Sequence, residues 1–172
     1  MFALALITVI NALYARDVLN ISQDNWFLTY VPMLLTMMVA SYPIGKIIDK
    51  IGMKIPLLTS PFLLIASMLL FINGNILTVT ISMVLFGLVN MLIMSAGMTL
   101  SACLVEPKNR GKIAGGVNFV GYILTGIGML VGDLLYNLTP ELPIYTTITV
   151  AIPMILIIFF RIPEPKREER RF

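Results

Sequence analysis

The residues able to do chemistry are few, and their types narrow that chemistry at once. The chain has no histidine and one cysteine, Cys103. That removes Ser-His and Cys-His nucleophile pairs, the HExxH metal site and any disulfide or Cys-cluster zinc framework. No metal, cofactor or catalytic residue is expected, so the reading is of a protein that is not an enzyme. All nine carboxylates fall between apolar runs or near their ends: Asp17, Asp24, Asp133 and Glu141 in one set, and Asp49, Glu106, Glu164, Glu168 and Glu169 in another. No run carries the paired aspartates of an intramembrane protease or a mid-run carboxylate of the kind proton pumps use. What remains is binding chemistry. Asn11 and Asn90 stand near the middle of apolar runs, where an unpaired carboxamide costs roughly 2–7 kcal/mol, so each must face protein, water or a ligand. Tyr14 and Met94 add polar and polarizable surface at helical spacing from them, and Asn118 and Tyr122 do so one turn apart on another run.

The elements that must position these groups follow from the hydropathy. Of 172 residues 58% are hydrophobic and 12% charged, about half the charge a soluble domain needs to cover its surface. Six runs approach the roughly 20 apolar residues that cross a bilayer: Phe2–Ala15, Trp26–Ile44, Ile55–Ile72, Ile76–Leu104, Ile113–Tyr136 and Pro143–Phe160. The separators are too short to hold a soluble domain, so residues 1–172 are expected to form one transmembrane domain. The first run is short for a span, which leads us to expect that its upstream part, and more, lies outside this chain.

Lysine and arginine orient the spans. Eleven of the twelve fall in alternate segments: Lys46, Lys50 and Lys54; Lys108, Arg110 and Lys112; Arg161, Lys166, Arg167, Arg170 and Arg171. Only Arg16 lies on the other side. The basic segments and both termini are therefore placed in the cytoplasm, with the plasma membrane as the expected location. Positives split over three short segments form no nucleic-acid footprint, and membrane lipid is the expected surrounding.

Two segments carry a pattern. In Gly45-Lys46-Ile47-Ile48-Asp49-Lys50-Ile51-Gly52-Met53-Lys54, Gly45 is expected to let a helix end approach a neighbour. Asp49 is expected to cap a helix N-terminus, where a negative charge gains roughly 0.3–1 kcal/mol, and Gly52 to permit a sharp reversal. In the fifth run, seven of the chain's twelve glycines lie within Gly111–Gly132. Asn118, Gly121, Thr125, Gly128 and Gly132 recur at steps of three and four and share one helical face. Such a face suits either packing inside the six-helix unit or a sliding contact with a partner. The third and sixth runs are the blandest and are expected to face lipid.

The first of these segments resembles the G-x-x-x-D-(R/K)-x-G-(R/K)-(R/K) element of the major facilitator superfamily of secondary transporters, departing from it at Met53. Glu106-Pro107-Lys108-Asn109-Arg110-Gly111 is similar to that family's loop before its fifth or eleventh helix, and the tail Pro163-Glu164-Pro165-Lys166 to its C-terminus. The resemblance implies an all-α half-bundle, helices seven to twelve, built of two inverted three-helix repeats at residues 1–72 and 76–172. It implies alternating-access transport of a small-molecule substrate, with a cavity wall at Asn11, Tyr14, Asn90, Met94, Asn118 and Tyr122. Gly45, Asp49, Lys50, Gly52, Lys54, Arg110 and Gly111 become a conformational switch, and Gly121, Gly128 and Gly132 a packing face. The counterpart would be a missing N-terminal six-helix half or a second copy. The alternative is a six-helix membrane subunit that pairs with another half without itself transporting.

Overall fold

The computed structural model describes residues 2–8, 10–72 and 74–161. The charged tail, Pro163–Phe172, lies outside them. Among the described residues there is helix and no strand: α1 (Phe2–Thr8), α2 (Ile10–Asp17), α3 (Gln23–Ile51), α4 (Lys54–Ile72), α5 (Ile76–Leu104), a 3-10 turn (Pro107–Asn109), α6 (Arg110–Leu138) and α7 (Leu142–Arg161). Five of these, α3 to α7, are long and apolar enough to cross a membrane. The first expected span is occupied instead by α1 and α2, of seven and eight residues, each about 10–12 Å long and neither a span alone.

Local chemistry sets the boundaries. The side chain of Ser22 accepts from the Asn25 amide at the start of α3, and Asn75 Oδ1 accepts from Leu77 and Thr78 at the start of α5, so both helices begin on a side-chain cap. At the other end of α3, Gly52 adopts φ 98° while its N–H reaches Ile48 O at 2.9 Å. That conformation favours glycine, and the expected reversal is found there. The segment before it is not a loop. Residues 45–51 continue α3, because nothing between Gly45 and Gly52 breaks a helix.

The packing scheme is regular. α1 lies against α6 and α7, α5 lies against α3 and α4, and α4 lies against α7. The principal core joins Ile7 and Tyr14 to Leu64, Met68 and Phe71 of α4, Val79, Met83 and Val89 of α5, and Ile144 and Ala151 of α7. A smaller core holds Ala40, Ile44 and Ile48 of α3, Met53, and Leu92 and Ala96 of α5. Within the bundle Ser67 and Ser82, both fully buried, clasp α4 to α5. Ser67 Oγ donates to Ser82 O at 2.9 Å, and Ser82 Oγ donates to Ser67 O at 2.8 Å.

The two bland spans, expected to face lipid, both keep exposed apolar residues, Phe62 and Leu69 on α4 and Ile152 and Leu156 on α7. α4 is nevertheless more enclosed than α6 or α3. α4 has α5 on one side and α7 on the other, so apolar uniformity here marks an interior position as much as a lipid face.

Candidate functional site

The glycine stripe of α6 shows how one face is used twice. A Cβ on Gly128 would lie 2.9 Å from Ala5 Cβ and 3.0 Å from Phe2 O, and one on Gly132 would lie 2.5 Å from Leu6 O. Only glycine lets α1 approach this closely. Gly128 and Gly132 therefore pack inside the unit. Toward the Arg110 end of α6 the same stripe is uncovered. Gly121 and Thr125 are half-buried, Asn118 is exposed, and every residue of 111–120 is exposed. A Cβ at Gly111, Gly115, Gly116 or Gly126 would meet nothing within 4 Å.

The expected cavity residues divide into two groups. Asn11 and Tyr14, one turn apart, are enclosed within the bundle at 1% exposure. Tyr14 donates to Ile72 O at 2.9 Å and leans on Phe71, ring centroids 5.6 Å apart. Asn11 Oδ1 is buried with no partner among the described residues. Neither faces an open surface. Asn90, Met94, Asn118 and Tyr122 are brought outward. Asn90 is half-buried and its Nδ2 donates to Phe86 O at 2.9 Å, so its own helix satisfies the donor. Met94 is 47% exposed and Tyr122 76%. Open positions Gly97 and Met98 continue the α5 face beyond Met94.

The switch residues need two corrections. Gly45 has nothing within 4 Å of a built Cβ, so it allows no close approach within this chain. Asp49 caps no helix. It lies in the last turn of α3, where the helix dipole disfavours negative charge, and it is exposed without a hydrogen bond or ion pair to any described residue. Lys50 beside it is exposed as well. Lys54 begins α4, its Nζ 5.6 Å from the Phe159 ring centroid. Arg110 begins α6 and donates through Nε to Val105 O at 3.1 Å.

The residues missed from sequence mostly tie helices together. Met53 is fully buried in the α3–α5 core, so the α3–α4 turn is pinned to α5 by a thioether. Ser67 and Ser82 stand at near-equal chain distance from the Gly74-Asn75 turn, a signal of facing positions in a helical hairpin. At the outer end, Arg16 pairs with Asp17 at 2.6 Å and Tyr136 donates to Asp17 at 3.2 Å, joining α2 to α6. The hydrogen bond from Arg16 holds the Asp17 carboxyl below its ordinary range against desolvation, with Arg16's charge and the Tyr136 hydrogen bond adding to the lowering.

α5 and α6 thus leave carboxamide, thioether, phenol and glycine positions open, and α3 leaves Asp49 exposed in its last turn. The family model of the Major Facilitator Superfamily matches residues 1–172. No curated protein matches the chain.

Proposed function

The chain belongs to the major facilitator superfamily, a family of membrane transporters, and on that premise we propose that it forms the C-terminal half of an alternating-access carrier for a small neutral or amphipathic solute in the plasma membrane. The set of positions left open on α5 and α6 is the observation that carries this reading. Glycine, asparagine and tyrosine are poor residues to leave against hydrocarbon, since each helix gains only where a neighbour or water meets them. A second six-helix half facing α5 and α6 across a wet cavity supplies that environment. Within this reading Asn90, Met94, Asn118 and Tyr122 line the cavity, while Asn11 and Tyr14 hold the wall from behind.

The packing scheme supports the division into repeats 1–72 and 76–172. Exchanging α1, α3 and α4 for α5, α6 and α7 turns the α1–α6 contact into α5–α3 and the α1–α7 contact into α5–α4, and returns α4–α7 to itself. Asp49, Lys50 and the start of α6 at Arg110 and Gly111 form the cytoplasmic switch, with Asp49 pairing to the partner half in one conformation only. The counterpart is a separate N-terminal half or a second copy, and crosslinking of the full chain in membranes separates the two by mass.

Scanning cysteine accessibility tests the proposal. In a Cys103→Ser background, Met94→Cys should react with a membrane-impermeant maleimide added from either side of the membrane. Labelling should become one-sided in Asp49→Asn, whose switch is neutral. Protection of Met94→Cys from both sides would contradict a cavity at this face.

A further inference from the structure

The polar side chains inside the bundle can be accounted for one by one. Apart from tyrosine, those buried among the described residues are Asn11, Thr29, Ser60, Ser67, Ser82 and Thr147. A hydroxyl has a single proton to give, and each hydroxyl in this set gives it to a backbone carbonyl. Thr29 donates to Trp26 O, Ser60 to Leu57 O and Thr147 to Pro143 O, while Ser67 and Ser82 donate to each other's carbonyl. Tyr14 spends its proton on Ile72 O. Asn11 alone is left out: its Oδ1 is buried and meets no hydrogen-bond donor among the described residues.

Asn11 is also out of reach of bulk solvent. It is 1% exposed and stands six residues before Asp17, the end of α2, which is about 9 Å of helix. Tyr14 and Ala15, three and four positions further on and therefore on its face, both belong to the principal core. An amide oxygen in such surroundings bears the full cost of its lost hydration unless a donor meets it. The buried hydroxyls are spent, and the amides of helix interiors are bonded along their own helices. A donor from outside the chain is needed, and the 1% of Asn11 that stays exposed is too little for a solute or a partner's side chain to dock against.

We propose that Asn11 holds a water molecule inside the bundle. Water is the smallest donor and brings two hydrogens. One goes to Asn11 Oδ1 and the other to a helix carbonyl, whose second lone pair the helix leaves unused. Two such partners are what a buried water needs in order to stay. The site is independent of what, or whether, the protein transports.

X-ray radiolysis of the full chain in detergent, read by mass spectrometry, provides the test, because radicals born from a bound water oxidise the side chains beside it. Tyr14, at 1% exposure, is the reporter, and Phe86, at 6%, is the reference, each scaled to the reactivity of its free amino acid. In the wild type Tyr14 should be oxidised above Phe86, although it is the less exposed of the two. Radicals generated chemically in the bulk solvent should leave Tyr14 unmarked. Asn11→Leu, close in shape and without polar atoms, should lower Tyr14 oxidation to the level of Phe86. Tyr14 no more oxidised than Phe86 in the wild type would overturn the proposal, whether or not the leucine variant folds. So would oxidation that persists in folded Asn11→Leu, or oxidation of Tyr14 by bulk radicals. Oxidation that vanishes when choline replaces sodium in the buffer would overturn it as well, by assigning the amide oxygen to a cation.

Discussion

α4 and α6 are both single apolar helices at the membrane-spanning length, yet they are used in opposite ways. α4 has no charge after Lys54, few polar groups and no glycine, and neighbours enclose it on two sides. α6 carries seven glycines, two asparagines and a tyrosine on each half, and α1 packs closely against it at Gly128 and Gly132. In water the more polar helix would be the outer one because solvent rewards it. In a bilayer hydrocarbon rewards nothing polar, so small and polar residues left open within one chain mark where another protein surface or water belongs. On the reading proposed above, sequence polarity in this molecule reports the partnered face, and bland apolarity reports nothing about which side is inside.

The glycines of α6 offer the largest way to break this comparison. Gly132→Leu drives a branched side chain into the Leu6 carbonyl, whose backbone cannot yield. Destabilisation should exceed the usual 1–3 kcal/mol of overpacking (about 3 kcal/mol or more), read as loss of a monodisperse species on size exclusion and a collapsed melting transition. Gly115→Leu, at an open position of the same stripe, should shift stability by less than about 0.5 kcal/mol. Equal damage from the two would mean that the stripe is not divided.

A smaller effect sharpens the contrast at the α3–α4 turn. Met53→Arg restores the basic residue usual in the family at the cost of burying a guanidinium among Ile44, Ile48 and Leu92. It should cost about 2 kcal/mol and raise protease cleavage near Gly52, whereas Met53→Leu should stay within about 1.5 kcal/mol. Unaltered cleavage in Met53→Arg would show that the thioether does not pin the turn.

Within the enclosed helix, Ser67→Ala should cost about 1 kcal/mol, in the range measured for hydrogen bonds between membrane helices. Because Ser67 and Ser82 serve each other, the double alanine variant should cost less than the sum of the singles. Strict additivity would argue that the clasp contributes no coupling.

The smallest effect is at the outer end. Arg16 lowers the Asp17 carboxyl, so the stabilisation from this tie is complete above the ordinary carboxylate value of about 3.9 and disappears as pH falls through the lowered one. Asp17→Asn should therefore melt slightly below wild type from pH 8 to 5, with the gap closing below about pH 4. A gap that widens on acidification would reverse the sign assigned to the tie.

Much of the fold was legible because its signals are local. Five of the six runs coincide with long helices, and Gly52 is the turn its position suggested. Asp49 and Gly45 were misplaced because a helix whose last turns are amphipathic, with Lys46, Asp49 and Lys50 outward and Ile48 inward, looks like a polar loop to a hydropathy count. The stripe from Asn118 to Gly132 was visible as a face, but periodicity names no neighbour, and only the approach of Phe2, Ala5 and Leu6 separates its packed half from its open one. Asn11 and Tyr14 read as cavity residues because polar groups in a span need a partner. Tyr14 found Ile72 O inside the bundle, which no spacing rule announces.

The central claim is that the open cytoplasmic half of α6 faces water or a partner protein and not lipid. Spin labels at Asn118→Cys and, for comparison, Leu156→Cys on α7, in Cys103→Ser protein in liposomes, test it by collision with a water-soluble nickel chelate and with oxygen. The account predicts chelate access or full immobilisation at 118 and oxygen access alone at 156. A label at 118 as mobile and oxygen-accessible as the one at 156, and equally closed to the chelate, would contradict it.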